Sequence, residues 1–189
     1  MTNVSAETAN WRLFGGGGLA VGALLLALSN PLEGEISFWL SVIGTIVIGL
    51  GFFFVAWGQT GSNGAVGANL LGKVALGAAA TGFILVAIAS LVVANGGTDG
   101  FGLGFNLMKF AWAAIAVGAL VAAYVILNKG VAKGLAKYVL FLVGLFALLY
   151  AIGLWIPAQA LLADWVIWGV TLSVLVTGVL YVLNGKFER

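Results

Sequence analysis

Few residues in this sequence could do chemistry, and their spacing excludes more than it offers. The 189-residue chain has no Cys and no His. That removes thiol nucleophiles, disulfides, Cys/His metal sites and the usual haem ligation. The closest pair of carboxylates is Glu33 and Glu35, just after Pro31. Hydrolysis by paired acids needs a pocket and a partner base within reach, and a solvated acidic turn is the simpler reading. Asp99 lacks the neighbouring oxygen ligands of a calcium loop. The run Gly15-Gly16-Gly17-Gly18 suggests a phosphate loop, but it has neither the Gly-Lys-Ser/Thr ending nor a preceding strand. We therefore expect no enzymatic activity, no cofactor and no metal.

Ionisable groups deep in an apolar chain are the default functional sites of membrane proteins. Here Lys73, Lys109, Lys137 and Asp164 all fall at the ends of apolar segments, where their charges can reach headgroups. A proton pump, a proton-coupled antiporter or a voltage sensor would keep a deep charge, so none of the three is expected. The polar residues inside the segments are mild: Ser41, Thr45, Thr81, Ser90, Tyr150, Thr171, Ser173 and Thr177. Hydroxyls can bond their own helix carbonyls and need no other partner. Thr171, Ser173 and Thr177 are the densest group, and a small-molecule pocket lined by them is one option.

The elements that carry these residues follow from composition. Hydrophobic types make up 62% and charged types 7%, against roughly 25% charged in a soluble domain. Such a chain cannot cover a water-facing surface of its own size, so its solvent is lipid. The eight cations are spread over the whole length and form no basic patch, which excludes nucleic acid as a partner. Six apolar stretches of spanning length occur, at 11–29, 36–57, 72–94, 107–127, 136–157 and 163–183. They are continuous rather than alternating, as helices must be in lipid. The expected fold is all-α integral membrane, a single transmembrane domain over 1–189 with six helices as three antiparallel hairpins. The polar start, Met1 to Asn10, lacks the features of a cleaved signal, so the first segment is expected to remain as a span.

Charge gives the sidedness. Arg12, Lys73, Lys129, Lys133, Lys137, Lys186 and Arg189 fall on one side of six spans, and Lys109 alone on the other. Glu33, Glu35, Asp99 and Asp164 lie opposite the main cation group. By the positive-inside rule both termini are cytoplasmic, in a cell membrane. All seven Trp lie near segment ends, as interface anchors rather than a ligand cage.

Two connections are glycine-rich. Gly58 to Gly67, on the cytoplasmic side, is uncharged and looks like a flexible linker. The outer one, Gly96 to Asn106, carries Asp99, Phe101, Leu103 and Phe105 among glycines, and reads as a flap, a docking loop or a plain connector. Small residues within the helices mark close packing. Gly15, Gly18, Gly22, Ala23 and Ala27 form a strip on the first helix, and Gly72, Gly77, Ala78 and Gly82 on the third. Such strips pack within the monomer or dock another membrane subunit.

The odd helices begin with a cation and a Gly/Ala/Leu run: Trp11-Arg12-Leu13, Gly72-Lys73-Val74 and Ala136-Lys137-Tyr138. The even ones begin with aromatics: Phe38-Trp39, Phe110 with Trp112, and Trp165 with Trp168. This pattern suggests a three-fold parallel internal repeat with a period of about 60 residues. The alternative is that any three hydrophobic hairpins under one charge rule look alike. Six helices built as three such hairpins with basic turns resemble the HdeD-like family of small bacterial membrane proteins. The resemblance covers most of the chain at the level of architecture, and it implies a role in stress or acid resistance with no catalytic residues. Two functions are therefore expected in competition. One is a non-enzymatic accessory subunit of a larger membrane complex, or a self-associating protein, with the bilayer as its other partner. The other rests on a likeness to the substrate-capturing subunit of vitamin transporters of the energy-coupling-factor type. In that family small-residue faces on the first helix dock a partner, and Gly18, Gly22, Ala23 and Ala27 would serve.

Overall fold

A computed structural model describes residues 11–58, 64–129, 132, 134–156 and 163–183. Six helices in it are long and apolar enough to cross a membrane. They are α1 (Trp11–Ser29), α2 (Gly34–Trp57), α3 (Leu70–Asn95), α4 (Gly97–Lys129), α5 (Val139–Trp155) and α6 (Ala163–Leu183). The first turn of α1, Trp11–Gly16, is π-helical, and a 3-10 turn, Gly134–Lys137, leads into α5. No strand occurs among the described residues. The chain is thus a multi-pass helical membrane protein.

Local chemistry sets the helix ends. Pro31 cannot continue α1, and the Ser37 hydroxyl donates to the Ser29 carbonyl at 2.8 Å, closing the turn into α2. Gly58 ends α2 at φ 67°, with its N–H on the Phe54 carbonyl. The Asn69 side chain accepts from the Gly72 N–H at 2.9 Å and caps α3.

Consecutive helices pack on each other, and α6 returns to pack on α1, so the six form a ring. Lipid supplies no hydrophobic drive between helices, so close approach through small residues does the work. The α1–α2 contact shows this on both sides. A Cβ at Gly22 would lie 2.7 Å from the Gly44 carbonyl oxygen, and one at Gly44 would lie 2.8 Å from the Gly22 oxygen. Gly49 meets Ala80 across α2–α3, Gly118 meets Ala75 and Ala79 across α3–α4, and Gly178 meets Gly16 and Ala20 across α6–α1. The α4–α5 and α5–α6 contacts pair a glycine with a large side chain, Gly144 with Leu120 and Gly169 with Phe146.

Two expectations about connections are corrected. Residues 96–106 are not a loop, because α4 starts at Gly97 and contains Asp99, Phe101 and Phe105. The chain reverses at Gly97 (φ +55°), a conformation open to glycine. Gly100 and Gly104 then sit against Val92, Ala89 and Val93 of α3, where side chains would hold the two backbones apart. Glycines four apart were the signal of a packed helix face, not of a flexible flap. In the other connection, 59–63 lie outside the described residues, but Gly64 to Asn69 is packed. Ala65 and Val66 are fully buried, and the Ala65 N–H donates to the Val55 carbonyl at 2.8 Å. A segment tied to the end of α2 in this way is no flexible linker.

Candidate ligand cavity

Six helices in a ring, each about 8–10 Å from its neighbours, surround an axial space about as wide as one more helix. Side chains must fill that space or leave it hollow. Toward the end that carries Trp11 and Leu183 they fill it. Leu19, Ile48, Phe52, Leu76, Ile115, Leu140 and Val143 are fully buried there, and Ala65, Val66, Ala132 and Ala136 close that end. Toward the opposite end a cavity of about 200 Å³ remains.

Every helix contributes to its wall. Leu26, Ser29 and Asn30 come from α1, Ser41 and Thr45 from α2, and Phe83, Val86 and Ser90 from α3. Met108 and Trp112 come from α4, Tyr150 from α5, and Ile167, Val170 and Thr171 from α6. Asn30 is exposed at the rim, whereas Thr45 and Thr171 are 5% and 2% exposed. Phe83 lines the wall on the side of the filled core, with Phe52 stacked against it at 5.5 Å.

The wall is mostly apolar with hydroxyls set into it, and it carries no formal charge. Four of its hydroxyls donate to carbonyls of their own helices: Ser29 to Leu26 (2.8 Å), Thr45 to Ser41 (2.7 Å), Ser90 to Val86 (3.0 Å) and Thr171 to Ile167 (3.0 Å). Their protons are used, so each turns oxygen lone pairs toward any occupant. Beside them three aromatic rings adjoin. Phe83 meets Trp112 edge-on at 6.2 Å, and Trp112 meets Tyr150 at 4.4 Å. Hydroxyl oxygens, aromatic rings and apolar side chains thus surround one uncharged space.

The wall has a register in the sequence. Leu26/Asn30, Ser41/Thr45, Val86/Ser90, Met108/Trp112 and Ile167/Thr171 are pairs four apart, one turn along one helix face. Only Ser41/Thr45 is polar at both positions, and the other four pairs begin with an apolar residue, so the interval marks no site in the sequence. Of the densest hydroxyl group expected from the sequence, only Thr171 lines the cavity. Ser173 and Thr177 are buried and bonded to the Val170 and Ser173 carbonyls. Thr81 is exposed on the outside of the ring.

Tryptophan is corrected too. Trp39, Trp155, Trp165 and Trp168 are exposed, as anchors would be, but Trp11 is fully buried and Trp112 is a cavity wall. Trp11 packs edge-on to buried Tyr181 at 5.5 Å. The Trp11 indole N–H, the Tyr181 hydroxyl and Arg12 Nε are buried with no hydrogen-bond partner among the described residues. Lys109 is not at a helix end, since α4 begins three turns before it. Its ammonium lies 4.8 Å from the Phe105 ring and 4.9 Å from the Trp155 ring. Phe101 and Phe105 stack at 6.0 Å, one turn apart on the same helix.

The glycines singled out for packing make contacts inside the chain. A side chain at Gly15 would strike Val55, one at Gly18 would crowd Gly51, and one at Gly22 would meet Gly44 and Ile48. Gly72 lies against Val66, Gly77 against the Trp57 ring, and Gly82 against Ala111 and Ile115. Ala23 is buried and Ala27 half-buried. The four-glycine run is helical throughout, with Gly15 and Gly18 turned to α2 and Gly16 to α6. Lys133, Lys186, Arg189 and the Asp164 side chain lie outside the described residues. Among the described residues no group of acidic side chains could hold a metal.

Comparison with protein families, curated proteins and solved structures found no match for this chain.

Proposed function

We propose that the chain is a non-enzymatic membrane protein that binds a small molecule in the axial cavity, in the manner of a substrate-capturing transport subunit. The observation that carries this reading is the wall itself. All six helices deliver polar or aromatic side chains to one space, while the other end of the ring is packed shut. A bundle with only a scaffolding role gains nothing from a hollow lined with hydroxyls, since voids and buried polar groups both cost stability. The accessory-subunit reading has less support, because the glycines that would dock a partner are engaged within the chain. Any partner subunit, or a second copy of this chain, would use other faces.

The proposed topology has three antiparallel hairpins and cytoplasmic termini, with the cavity opening on the outer side of a cell membrane. Its support is the cation distribution already described. The parallel three-fold repeat draws support from the wall. Ser29, Ser90 and Tyr150, on the odd helices, recur at about 60 residues, and Thr45, Trp112 and Thr171, on the even ones, recur at 67 and 59. The same plan underlies the likeness to the HdeD-like proteins.

The test is a search for a retained small molecule by mass spectrometry of protein purified in mild detergent. The wild type should carry or bind a low-mass compound. Ser90→Phe, which fills the cavity, should lose it while eluting as the same monodisperse species. A wild type that neither retains a compound nor is thermally stabilised by any member of a metabolite panel would remove this function.

A further inference from the structure

The cavity wall also states what kind of molecule it fits. We propose that its ligand is a small alkylated ammonium ion, held between the rings of Phe83, Trp112 and Tyr150 and the hydroxyl oxygens of Ser29, Ser90 and Thr171. This inference rests on the cavity being a ligand site.

Sign of charge is decided first. The wall hydroxyls whose protons go to their own helices present acceptors. Ring faces are also negative, through the aromatic quadrupole. An anion would find no cation in the wall, and the four hydroxyls bonded to their own helices offer it no proton. A cation meets attraction from both kinds of group, and a ring face contributes most to binding where water is excluded. The rim adds to this. Glu33, Glu35 and Asp99 are exposed at the same end of the bundle, against Lys109, whose ammonium already sits over two rings. Acidic groups at the end of the bundle where a low-dielectric cleft lies raise the local concentration of cations.

Size and hydration decide the rest. A volume of about 200 Å³ equals roughly seven waters at about 30 Å³ each, enough for a compact organic ion and too little for a large cofactor. The wall has no carboxylate, so it cannot repay the dehydration of a small, tightly hydrated ammonium. Alkyl groups spread the charge and give the rings apolar surface to contact, which lowers that cost.

The test compares choline with its uncharged isostere, in which a tert-butyl group replaces the trimethylammonium, by calorimetric titration of the intact protein in detergent. Choline should bind about tenfold or more tightly than the isostere. Trp112→Leu should abolish that preference, and Trp112→Phe, which keeps a ring, should retain much of it. Equal binding of the two compounds overturns the charge assignment and leaves the cavity a ligand site. Binding of neither also overturns it, and retention of a different, uncharged compound by the purified protein would then show that the broader reading survives. An unchanged choline preference in a folded Trp112→Leu protein would remove the rings from the account.

Discussion

At the residue scale, the glycines of this chain are not interchangeable. Gly22 and Gly17 lie five positions apart on α1, yet their surroundings are opposite. A Cβ at Gly22 would lie 2.7 Å from the Gly44 carbonyl oxygen and 2.8 Å from the Ile48 nitrogen, both backbone atoms that cannot turn aside. At Gly17 nothing lies within 4 Å. Gly22→Leu should therefore force α1 off α2 and cost about 1–3 kcal/mol or more. Gly17→Ala should be neutral or stabilising by about 0.5–1 kcal/mol, through helix propensity alone. Thermal unfolding of the two variants in one detergent measures the contrast, and equal melting temperatures would contradict the α1–α2 contact. Spacing alone placed both residues in the same glycine-rich helix. It could not say which had a backbone opposite, because that depends on a partner more than twenty positions away.

At the scale of elements, α4 is the informative case. Its 33 residues make a rod about 50 Å long at 1.5 Å per residue, well beyond a hydrocarbon core of about 30 Å. The first ten residues therefore project past the apolar stretch expected at 107–127. They carry Phe101 and Phe105, which continue into Lys109 as a stripe along one face. What keeps this glycine-rich piece helical is contact with the end of α3. A Cβ at Gly104 would lie 2.9 Å from the Ala89 carbonyl oxygen. Gly104→Val should thus detach the extension even though valine is the better helix former in isolation. Amide exchange across 97–106 should accelerate by tenfold or more, while the rest of α4 stays protected. Unchanged protection would mean that intrinsic propensity, not packing, holds the segment. The sequence argued for a loop there because glycine content is a local signal, and the compensating contact is a tertiary one.

At the scale of the whole molecule, the ring and its charge distribution make a prediction about sidedness. The native absence of Cys gives a clean background for single-cysteine labelling. Glu33 lies at the same end of the bundle as the cavity and Lys129 ends α4 at the opposite end, and both are exposed. Glu33→Cys should react with an impermeant maleimide in intact cells, and Lys129→Cys only after the membrane is opened. The reverse pattern would invert the proposed topology and turn the cavity toward the cytoplasm.

Six apolar helices were legible in the chain itself, because a bilayer sets one length and one polarity for every span and leaves no other backbone solution. Each helix started and stopped within a few residues of the expected range, α4 excepted, since proline, glycine and an asparagine cap act locally. Composition likewise excluded Cys- and His-dependent chemistry. The cavity was not legible. Ser41, Thr45, Ser90 and Thr171 are unremarkable hydroxyls one helix at a time, and Trp112 reads as one more interface anchor. Only closure of α6 onto α1 turns those faces toward a common axis, and only the balance of side-chain volumes around that axis decides that one end is filled and the other left hollow. Those are sums over contacts between residues far apart in sequence, which no local pattern encodes.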